Sequence, residues 1–530
     1  MKKLLLGAAV SAAFFSGISN AAITLDPSGK PVITPANTDE IYLSGASAPR
    51  AFIEQLITNA AVPDVNQICK PATTIYKYKD NVSGGDQNAY LCELNTLNPA
   101  LSGLAAGKTN LLIYKRSLGG SAMGVNPIIA DAAISFMKID NPANCSAPVV
   151  GGGLSTLTCT YVEGNLAFSQ NQKADFGVSD VDPIQFSGVN TPSGFAGVTN
   201  ADMAKLNVKS AVAQTFGIIV TTKLREALQQ AQFPATSTCN PTNAGHTVTA
   251  RESAACQPSL DSAQLASIFT GSLVSWSQLK INLASNLYVN ATAAGIQPPQ
   301  DRIHICRRTN GSGTGAQFGV KFLNYPCAGA AASTPKPDTG ALPEAVAQTQ
   351  VHQMGSSGQV NECMSELDAG VNTVGTAFNN TYGFRWAIGI QGTENNATLS
   401  SGYRFIKVDG VAPTLQNVVN GKYKDWVELT YQSNKTHVFD PSELNIVNEI
   451  IKQSGNPVVI GVTNNPAAKH TWGQSGFLAV PQSFVAPANG VVSLTQPVNP
   501  LSHGTTTKAP NACRAPATYN PGVAGGMQLN

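Results

Sequence analysis

One stretch of the chain concentrates residue types that can hold an anion. Residues 306–318 read Cys-Arg-Arg-Thr-Asn-Gly-Ser-Gly-Thr-Gly-Ala-Gln-Phe. Arginine can hold an oxyanion through two parallel hydrogen bonds, and here Arg307 and Arg308 are adjacent. Glycine and hydroxyl residues alone would also suit a solvated turn with a helix cap. Because two arginines precede them, the pattern favours an anion site.

The residues on either side of this stretch predict the elements that must position it. Residues 301–305 predict a short strand, and residues 317–323 predict the start of a helix. A turn between a strand and a helix directs free backbone N–H groups and the positive end of the helix toward one spot. Ser312 and Thr314 add hydroxyl donors to that turn.

Two other segments predict the same arrangement of strand, glycine- and serine-rich turn and helix. Residues 40–60 contain a strand, the turn Ser-Gly-Ala-Ser-Ala-Pro and a helix, and residues 110–125 contain a strand followed by Arg-Ser-Leu-Gly-Gly-Ser. Residues 174–180 predict a buried strand that ends at Asp180. The simplest interpretation of Asp180 is a turn residue or a helix cap.

The first residues predict an export signal. Residues 1–3 are Met-Lys-Lys, residues 4–18 are apolar or small, and residues 19–21 offer a cleavage site, which predicts a signal peptide over 1–21. The apolar run is too short and too rich in alanine for a membrane anchor, and the first cysteine, Cys69, lies far beyond it. We therefore expect a soluble periplasmic or secreted protein without a membrane anchor.

Composition narrows the class further. Charged residues make up 12% of the 530 residues, and the formal net charge is +2. This balance excludes a nucleic-acid binder that relies on bulk charge. A mature chain of roughly 500 residues can form two or three domain-sized cores.

Ten cysteines in an exported chain predict disulfides. Near-neighbour spacing predicts the local pairs Cys69–Cys92, Cys145–Cys159, Cys239–Cys256 and Cys306–Cys327, which leaves Cys363 and Cys513 as a long-range pair. The chain contains no Cys-x-x-Cys motif, which argues against redox chemistry and a ribbon-type zinc site.

Several segments, taken in their order along the chain, resemble those of a known family. The landmarks are residues 44–49 (Ser-Gly-Ala-Ser-Ala-Pro), 117–120 (Ser-Leu-Gly-Gly), 175–180 (Asp-Phe-Gly-Val-Ser-Asp), 268–271 (Ile-Phe-Thr-Gly) with Trp276, 307–314, 387–389 (Ala-Ile-Gly) and 410–423. The chain resembles the periplasmic phosphate-binding protein of bacterial phosphate ABC transporters, which has a type II periplasmic-binding-protein fold. It looks like an enlarged relative with disulfide-bearing insertions.

The resemblance implies a ligand site. In that family, phosphate lies dehydrated in a cleft between two lobes. The residues that match by position are Ser117, Asp180, Arg308, Ser312, Gly313 and Thr314. The first loop departs from the family, since Pro49-Arg50 stands where Thr-Phe is usual, and proline cannot donate an N–H. Ser47 or Arg50 is the expected replacement. Asn310 stands where the family has an acid, which leaves the site more positive.

The resemblance also implies an α/β fold with two lobes. Residues 38–211 and 396–510 would form lobe I, residues 212–395 would form lobe II, and residues 511–530 would be a C-terminal tail. Two crossings, near residues 210–222 and 385–395, would act as a hinge. The chain from residue 456 onward is expected to be rich in turns.

Two functions fit this interpretation. The first is a monomeric binding protein that captures inorganic phosphate or a related oxyanion without a cofactor, with an ABC transporter permease as a candidate partner. The alternative is a secreted phosphomonoesterase similar to alkaline phosphatase, built on the same fold. That chemistry would need a nucleophile or metal ions. The six histidines have no His-x-x-x-His spacing and there is no Gly-x-Ser-x-Gly motif, so binding is favoured, with no catalytic residue or metal assigned.

Overall fold

A computed structural model of the protein describes residues 23–82, 85–103, 108–281, 285–329, 333–395, 397–467, 469–479, 513, 517–519 and 527–529. The expected signal peptide, 1–21, and most of the expected C-terminal tail lie outside these described residues. Within the described chain, no helix has both the length and the apolar composition that crossing a membrane requires.

The strands follow one another along the chain with short helices between them. They are β1 (Thr38–Gly45), β2 (Ile75–Asp80), β3 (Gln87–Glu93), β4 (Asn110–Arg116), β5 (Ala133–Met137), β6 (Val149–Gly151), β7 (Leu154–Cys159), β8 (Ser169–Lys173), β9 (Phe176–Ser179), β10 (Leu206–Thr221), β11 (Ser259–Leu260), β12 (Lys280–Ile281), β13 (Ser285–Asn286), β14 (His304–Arg308), β15 (Gln350–Met354), β16 (Ala387–Gly392), β17 (Tyr403–Phe405), β18 (Lys407–Val408), β19 (Trp426–Asn434), β20 (Lys469–His470), β21 (Gly473–Gln474), β22 (Phe477–Ala479), β23 (Ala517–Tyr519) and β24 (Met527–Leu529).

The α-helices lie mainly on the two faces of the sheet. They are α1 (Arg50–Thr58), α2 (Asn126–Ala130), α3 (Asn200–Met203), α4 (Thr222–Gln232), α5 (Val248–Arg251), α6 (Ser262–Phe269), α7 (Leu287–Asn290), α8 (Gly313–Leu323), α9 (Ser357–Ala369), α10 (Leu415–Val419), α11 (Pro441–Ser454) and α12 (Pro457–Ala467). The helix α12 corrects the expectation of a turn-rich chain from residue 456.

One mixed sheet of fourteen strands joins two lobes. Its order is β15-β14-β16-β10-β19-β9-β1-β4-β3-β2-β7-β6, with β17 and β22 also paired to β10. We call the part from β19 to β6 lobe I and the part from β15 to β16 lobe II. The long strand β10 pairs with β19 up to Thr215 and with β16 from Phe216 onward, so it runs from lobe I into lobe II. The two-lobed α/β fold expected from the sequence is confirmed.

In lobe I, three parallel strands end at the same edge of the sheet. The strand β1 pairs in parallel with β4 on one side and with β9 on the other. Nearly every residue of β1 and β4 is buried, as in sheets covered by structure on both faces. The helices α1, α11 and α12 pack on one face around Phe52, Ile446 and Val459. The carboxyl ends of these strands therefore deliver three turns to one place.

In lobe II, the parallel neighbours β14 and β15 also end at the same edge of the sheet. They run side by side with His304 opposite Gln350 and Arg308 opposite Met354. The strand β14 leads into α8, and β15 leads into α9. The carboxyl ends of both strands face lobe I, so two helix N-termini lie at the boundary between the lobes.

The chain just after residue 396, which we expect in lobe I from the sequence, pairs with lobe II. The strand β17 pairs with Ile219–Thr221 at the lobe II end of β10. Ile406, Val408 and Val418 lie in the hydrophobic core of lobe II. We therefore propose that the second segment of lobe I starts near Trp426, where β19 begins.

The disulfide pairs are partly as expected. Cys69–Cys92, Cys145–Cys159 and Cys239–Cys256 are bonded. The expected pairs Cys306–Cys327 and Cys363–Cys513 are wrong, because the structure pairs Cys306–Cys363 and Cys327–Cys513. The reason is tertiary: α9 packs on β14, which places Cys363 nearer to Cys306 than the residues just after α8.

Candidate functional site

The predicted anion residues come together where the lobes meet. Ser47 follows β1, Ser117 follows β4 and Asp180 follows β9, so lobe I brings all three to one edge. Lobe II supplies Arg308 at the end of β14 and the first turn of α8 with the residue that caps it, Ser312, Gly313 and Thr314. All of these residues are buried. The structure therefore assembles seven of the eight predicted residues in one buried place.

Arg308 lies at the centre of this cluster. Its Nη1 donates to the hydroxyl of Ser47 at 2.5 Å and to that of Ser357 at 3.4 Å. Its Nη2 donates to the carbonyl of Gly355 at 2.7 Å, and its Nε donates to the carbonyl of Met354 at 3.2 Å. The side chain is only 3% exposed. A buried guanidinium is thus bonded to neutral oxygens, without a carboxylate hydrogen bond among the described residues.

Asp180 lies against the N-terminus of α8. The hydroxyl of Thr314 donates to Asp180 Oδ2 at 3.2 Å. The hydroxyl of Ser121 accepts from the backbone N–H of Asp180 at 3.2 Å and from that of Gly313 at 3.1 Å. Asp180 Oδ1 is buried and has no hydrogen-bond partner among the described residues. That oxygen is an acceptor available to a protic ligand.

Two glycines allow this close approach of the lobes. A Cβ on Gly313 would lie 2.4 Å from Ser121 Oγ and 2.6 Å from Asp180 Cβ. Gly120 has a φ of +75° and would place a Cβ 3.1 Å from Arg308 Nη2. A side chain at either position would push the turn before α8 away from lobe I.

Lys115 holds together the turns after β1 and β4 on the lobe I side of the site. It was not identified from the sequence. Its ammonium group donates to the carbonyls of Gly45, Ala46 and Arg116 and to the hydroxyl of Ser117, at 2.9–3.2 Å. Burial lowers the pKa of Lys115 to about 7, although Asp180 acts in the opposite direction. A lysine at the end of a buried strand, next to a glycine- and serine-rich turn, was the signal available in the sequence.

Arg50 lies at the margin of the cluster. It is the first residue of α1, is half-buried, and its Nη1 donates to the carbonyl of Gly85 at 2.6 Å. Its charge contributes to lowering the pKa of Arg308. The structure thus places Ser47, rather than Arg50, in direct contact with Arg308.

The sequence also missed the turn before α9. Residues 355–358 read Gly-Ser-Ser-Gly, between the parallel strand β15 and a 13-residue helix. Ser356 caps α9 by accepting from the N–H of Gln359, and the N–H of Ser357 donates to Ser47 Oγ at 3.3 Å. The pattern of strand, glycine- and serine-rich turn and helix fits this segment too, but no arginine precedes the turn to mark it.

Asp86 of lobe I contacts the first turn of α9. Its Oδ2 accepts from Gln359 Nε2 at 3.4 Å. Burial raises the pKa of Asp86, while the Ser356 hydroxyl and the charges of Arg308 and Arg50 act in the opposite direction. Each of the two helix N-termini therefore meets one serine and one aspartate of lobe I.

Burial dominates the electrostatics of the central pair. It raises the pKa of Asp180 to about 6, against the lowering influence of Arg308 and the Thr314 hydroxyl. Burial lowers the pKa of Arg308 to about 10, against the raising influence of Asp180 and Asp86. Arg308 stays charged at neutral pH, whereas Asp180 changes its charge in a range that a binding experiment can reach.

One small cavity adjoins this cluster and a larger one lies away from it. A cavity of about 30 Å³ adjoins it, lined by residues that include Arg308, Ser312 and Ile390. The largest cavity described, about 940 Å³, lies at the other end of β10 and β19, near Lys209 and His437. Among the described residues, no group of three or more His, Cys, Asp and Glu side chains is arranged to hold a metal ion.

Comparisons with known proteins give matches by structure. No protein-family model and no curated protein matches the chain. The fold is similar to a phosphate ABC transporter substrate-binding protein with bound phosphate from Clostridium perfringens, at 13% identity and a TM-score of 0.37, covering 80% of this chain and 98% of that one. It is similar to an ABC-type phosphate transport receptor from Vibrio cholerae, at 12% identity and a TM-score of 0.29, covering 55% and 78%. It is also similar to a human phosphate-binding apolipoprotein, at 12% identity and a TM-score of 0.36, covering 80% and 89%.

Proposed function

We propose that the protein binds inorganic phosphate, or a closely related oxyanion, at the junction of the two lobes. The observation that supports this most directly is Arg308, a guanidinium 3% exposed whose hydrogen bonds go to neutral oxygens. A buried cation is costly unless an anion compensates it. The first turn of α8 adds backbone donors and the positive end of a helix beside it.

Asp180 gives the proposed site a means of selecting a protonated anion. An ionised carboxylate only accepts hydrogen bonds, so it can accept one from hydrogen phosphate. Sulfate has no proton to offer near neutral pH and would face the carboxylate with a bare oxygen. The unpartnered Oδ1 of Asp180 makes this carboxylate the proposed acceptor for the ligand proton.

Capture would involve motion of the lobes. Ser47, Ser121 and Asp180 of lobe I bond directly to groups of lobe II, so the cleft is closed in this structure. We propose that these contacts break when the lobes separate about β10 and the segment that follows β16. Contacts with the ligand then replace them. Export to the periplasm or beyond, and delivery to an ABC transporter permease, complete the proposal. The N-terminal pattern and five disulfides support export.

Calorimetric titration of the purified protein with phosphate, arsenate and sulfate tests the proposal. We expect phosphate and arsenate to bind and sulfate to bind far more weakly at neutral pH. Arg307→Ala is the matched control for Arg308→Ala, because Arg307 is next to it but its Nη1 donates to the Arg308 carbonyl. Absence of phosphate binding by the wild type, or equal binding by the wild type and Arg308→Ala, would overturn the assignment. Turnover of a phosphomonoester by the wild type would favour the phosphatase alternative.

A further inference from the structure

We propose that Asp86 is a positioning residue of the anion site: from lobe I it binds the first turn of α9 and thereby holds Arg308 in its orientation. The inference rests on the proposed function and adds a residue and a mechanism to it. Asp86 lies just before β3, in a segment that the sequence did not connect with the site.

A short chain of hydrogen bonds leads from Asp86 to Arg308. Gln359 Nε2 donates to Asp86 Oδ2 at 3.4 Å. Gln359 Oε1 accepts from the N–H of Gly355 at 2.8 Å. The carbonyl of Gly355 then accepts from Arg308 Nη2 at 2.7 Å. Because Gln359 uses both ends of its amide, its orientation joins the lobe I carboxylate to Gly355, the residue whose carbonyl accepts from the guanidinium.

Both ends of this chain are fixed to their own lobes. The backbone N–H of Asp86 donates to Asp80 Oδ2 at 2.9 Å, and its carbonyl accepts from the N–H of Ser117 at 2.7 Å. In lobe II, the Cys306–Cys363 disulfide ties α9 to β14, two residues before Arg308. Gln391 Nε2 adds a bond to the carbonyl of Ser357 at 2.6 Å. A contact between two such rigid parts can transmit position.

The charge of Asp86 suits this role. The carboxylate is 1% exposed and lies near the positive N-terminus of a 13-residue helix, where a negative charge is stabilising. It also influences the pKa of Arg308 without bonding to it. Asp86 therefore favours the closed arrangement while leaving the nitrogens of Arg308 free of a carboxylate.

A double-mutant cycle tests the proposal. We expect Asp86→Ala and Gln359→Ala each to weaken phosphate binding by about tenfold, as for loss of one hydrogen bond to a charged group. The double variant is expected to bind about as weakly as either single variant, since both interrupt one chain. Asp131→Asn, an exposed lobe I aspartate paired with Lys173, is the control and is expected to bind as the wild type does.

A rescue experiment keeps the test valid if an alanine variant unfolds. Gln359→Glu would set two carboxylates against each other and should weaken binding, and adding Asp86→Asn should restore most of it. Additive losses in the cycle, or no rescue, would overturn the role of Asp86 while the proposed function stands. If the wild type itself binds no phosphate, the proposed function fails first.

Discussion

The turn before α8 and the turn before α9 each follow a parallel strand of lobe II and each contain a serine that caps the helix. They differ in charge. Two arginines precede the α8 turn, and its Gly313 and Thr314 bond to lobe I directly. The α9 turn has no charged residue, yet Arg308 donates to its Gly355 carbonyl. One turn presents donors to the cleft and the other orients the arginine.

The two helices are also fastened differently. The helix α9 is bonded through Cys363 to Cys306 in the neighbouring strand, whereas the segment after α8 is bonded through Cys327 to Cys513 near the end of the chain. The first bridge lies within the framework that positions Arg308, and the second does not. This difference leads to predictions that separate support of the site from direct contact with the ligand.

Removing the Cys306–Cys363 bridge should have the largest effect on the free energy of unfolding. Replacing both cysteines by alanine is expected to lower the free energy of unfolding by about 2–4 kcal/mol, because the unfolded chain regains freedom. It should also weaken phosphate binding, since α9 is then free to shift against β14. Chemical denaturation and calorimetry measure the two effects.

Removing the Cys327–Cys513 bridge is the matched control. We expect it to lower stability and leave phosphate affinity unchanged. Equal losses of affinity in the two double variants would contradict the distinction between the helices. Peptide mapping without reduction checks the connectivity on which both experiments depend.

Arg308→Ala comes next. Loss of a charge-assisted contact to an anion is expected to reduce phosphate affinity by about 1.5–3 kcal/mol. The α9 turn loses its guanidinium partner in the same variant, so stability should change as well. Arg307→Ala should change the affinity little. Calorimetry on both variants gives the comparison, and similar losses would mean that the strand presents the wrong arginine to the ligand.

Sequence reasoning located the α8 turn because arginines, glycines and hydroxyls stand close together there. It started the helix at Gln317, whereas α8 begins at Gly313, which places the predicted donors inside the helix N-terminus. The Gly-Ser-Ser-Gly turn before α9 lacks charge, so composition gave it no prominence. Its importance comes from the pairing of β14 with β15, which is a tertiary fact.

Asp86 and the long-range disulfides could not be found for the same reason. Asp86 lies in the segment between Cys69 and Cys92, and only the order of the strands in the sheet brings Asp86 to the cleft. Near-neighbour spacing predicted four local disulfides, of which three are confirmed. The prediction for Cys306 is wrong, because its partner is 57 residues away. The fold class, by contrast, was implied by the resemblance to a known family, which rests on local motifs and needs no knowledge of contacts.

Asp180→Asn and Asp86→Asn compare how two aspartates affect anion selectivity. Asp180 faces α8, and Asp86 faces α9. An asparagine can donate to a sulfate oxygen, so sulfate affinity at neutral pH is expected to rise by about 10–100-fold while phosphate affinity falls less. Asp86→Asn should leave the phosphate-to-sulfate ratio unchanged, because Asp86 acts on Arg308 rather than on the ligand. Competition titrations measure the ratio. If Asp180 merely caps a turn, its variant will lose stability and keep the wild-type ratio.

The pH dependence of sulfate binding is the finest test of this distinction. Burial raises the pKa of Asp180 to about 6, so this carboxylate is ionised at neutral pH and protonated in mild acid. Protonated, it becomes a donor, and sulfate affinity should rise by up to about 30-fold between about pH 7.5 and pH 5, following the protonated fraction. Lys115, whose pKa burial lowers to about 7, also gains charge over this range. Asp180→Asn should therefore keep only the smaller rise in sulfate affinity that Lys115 causes, whereas Asp86→Asn should keep the wild-type response. A full response in Asp180→Asn together with a reduced response in Asp86→Asn would exchange the roles of the two aspartates, and with them the roles of the two turns.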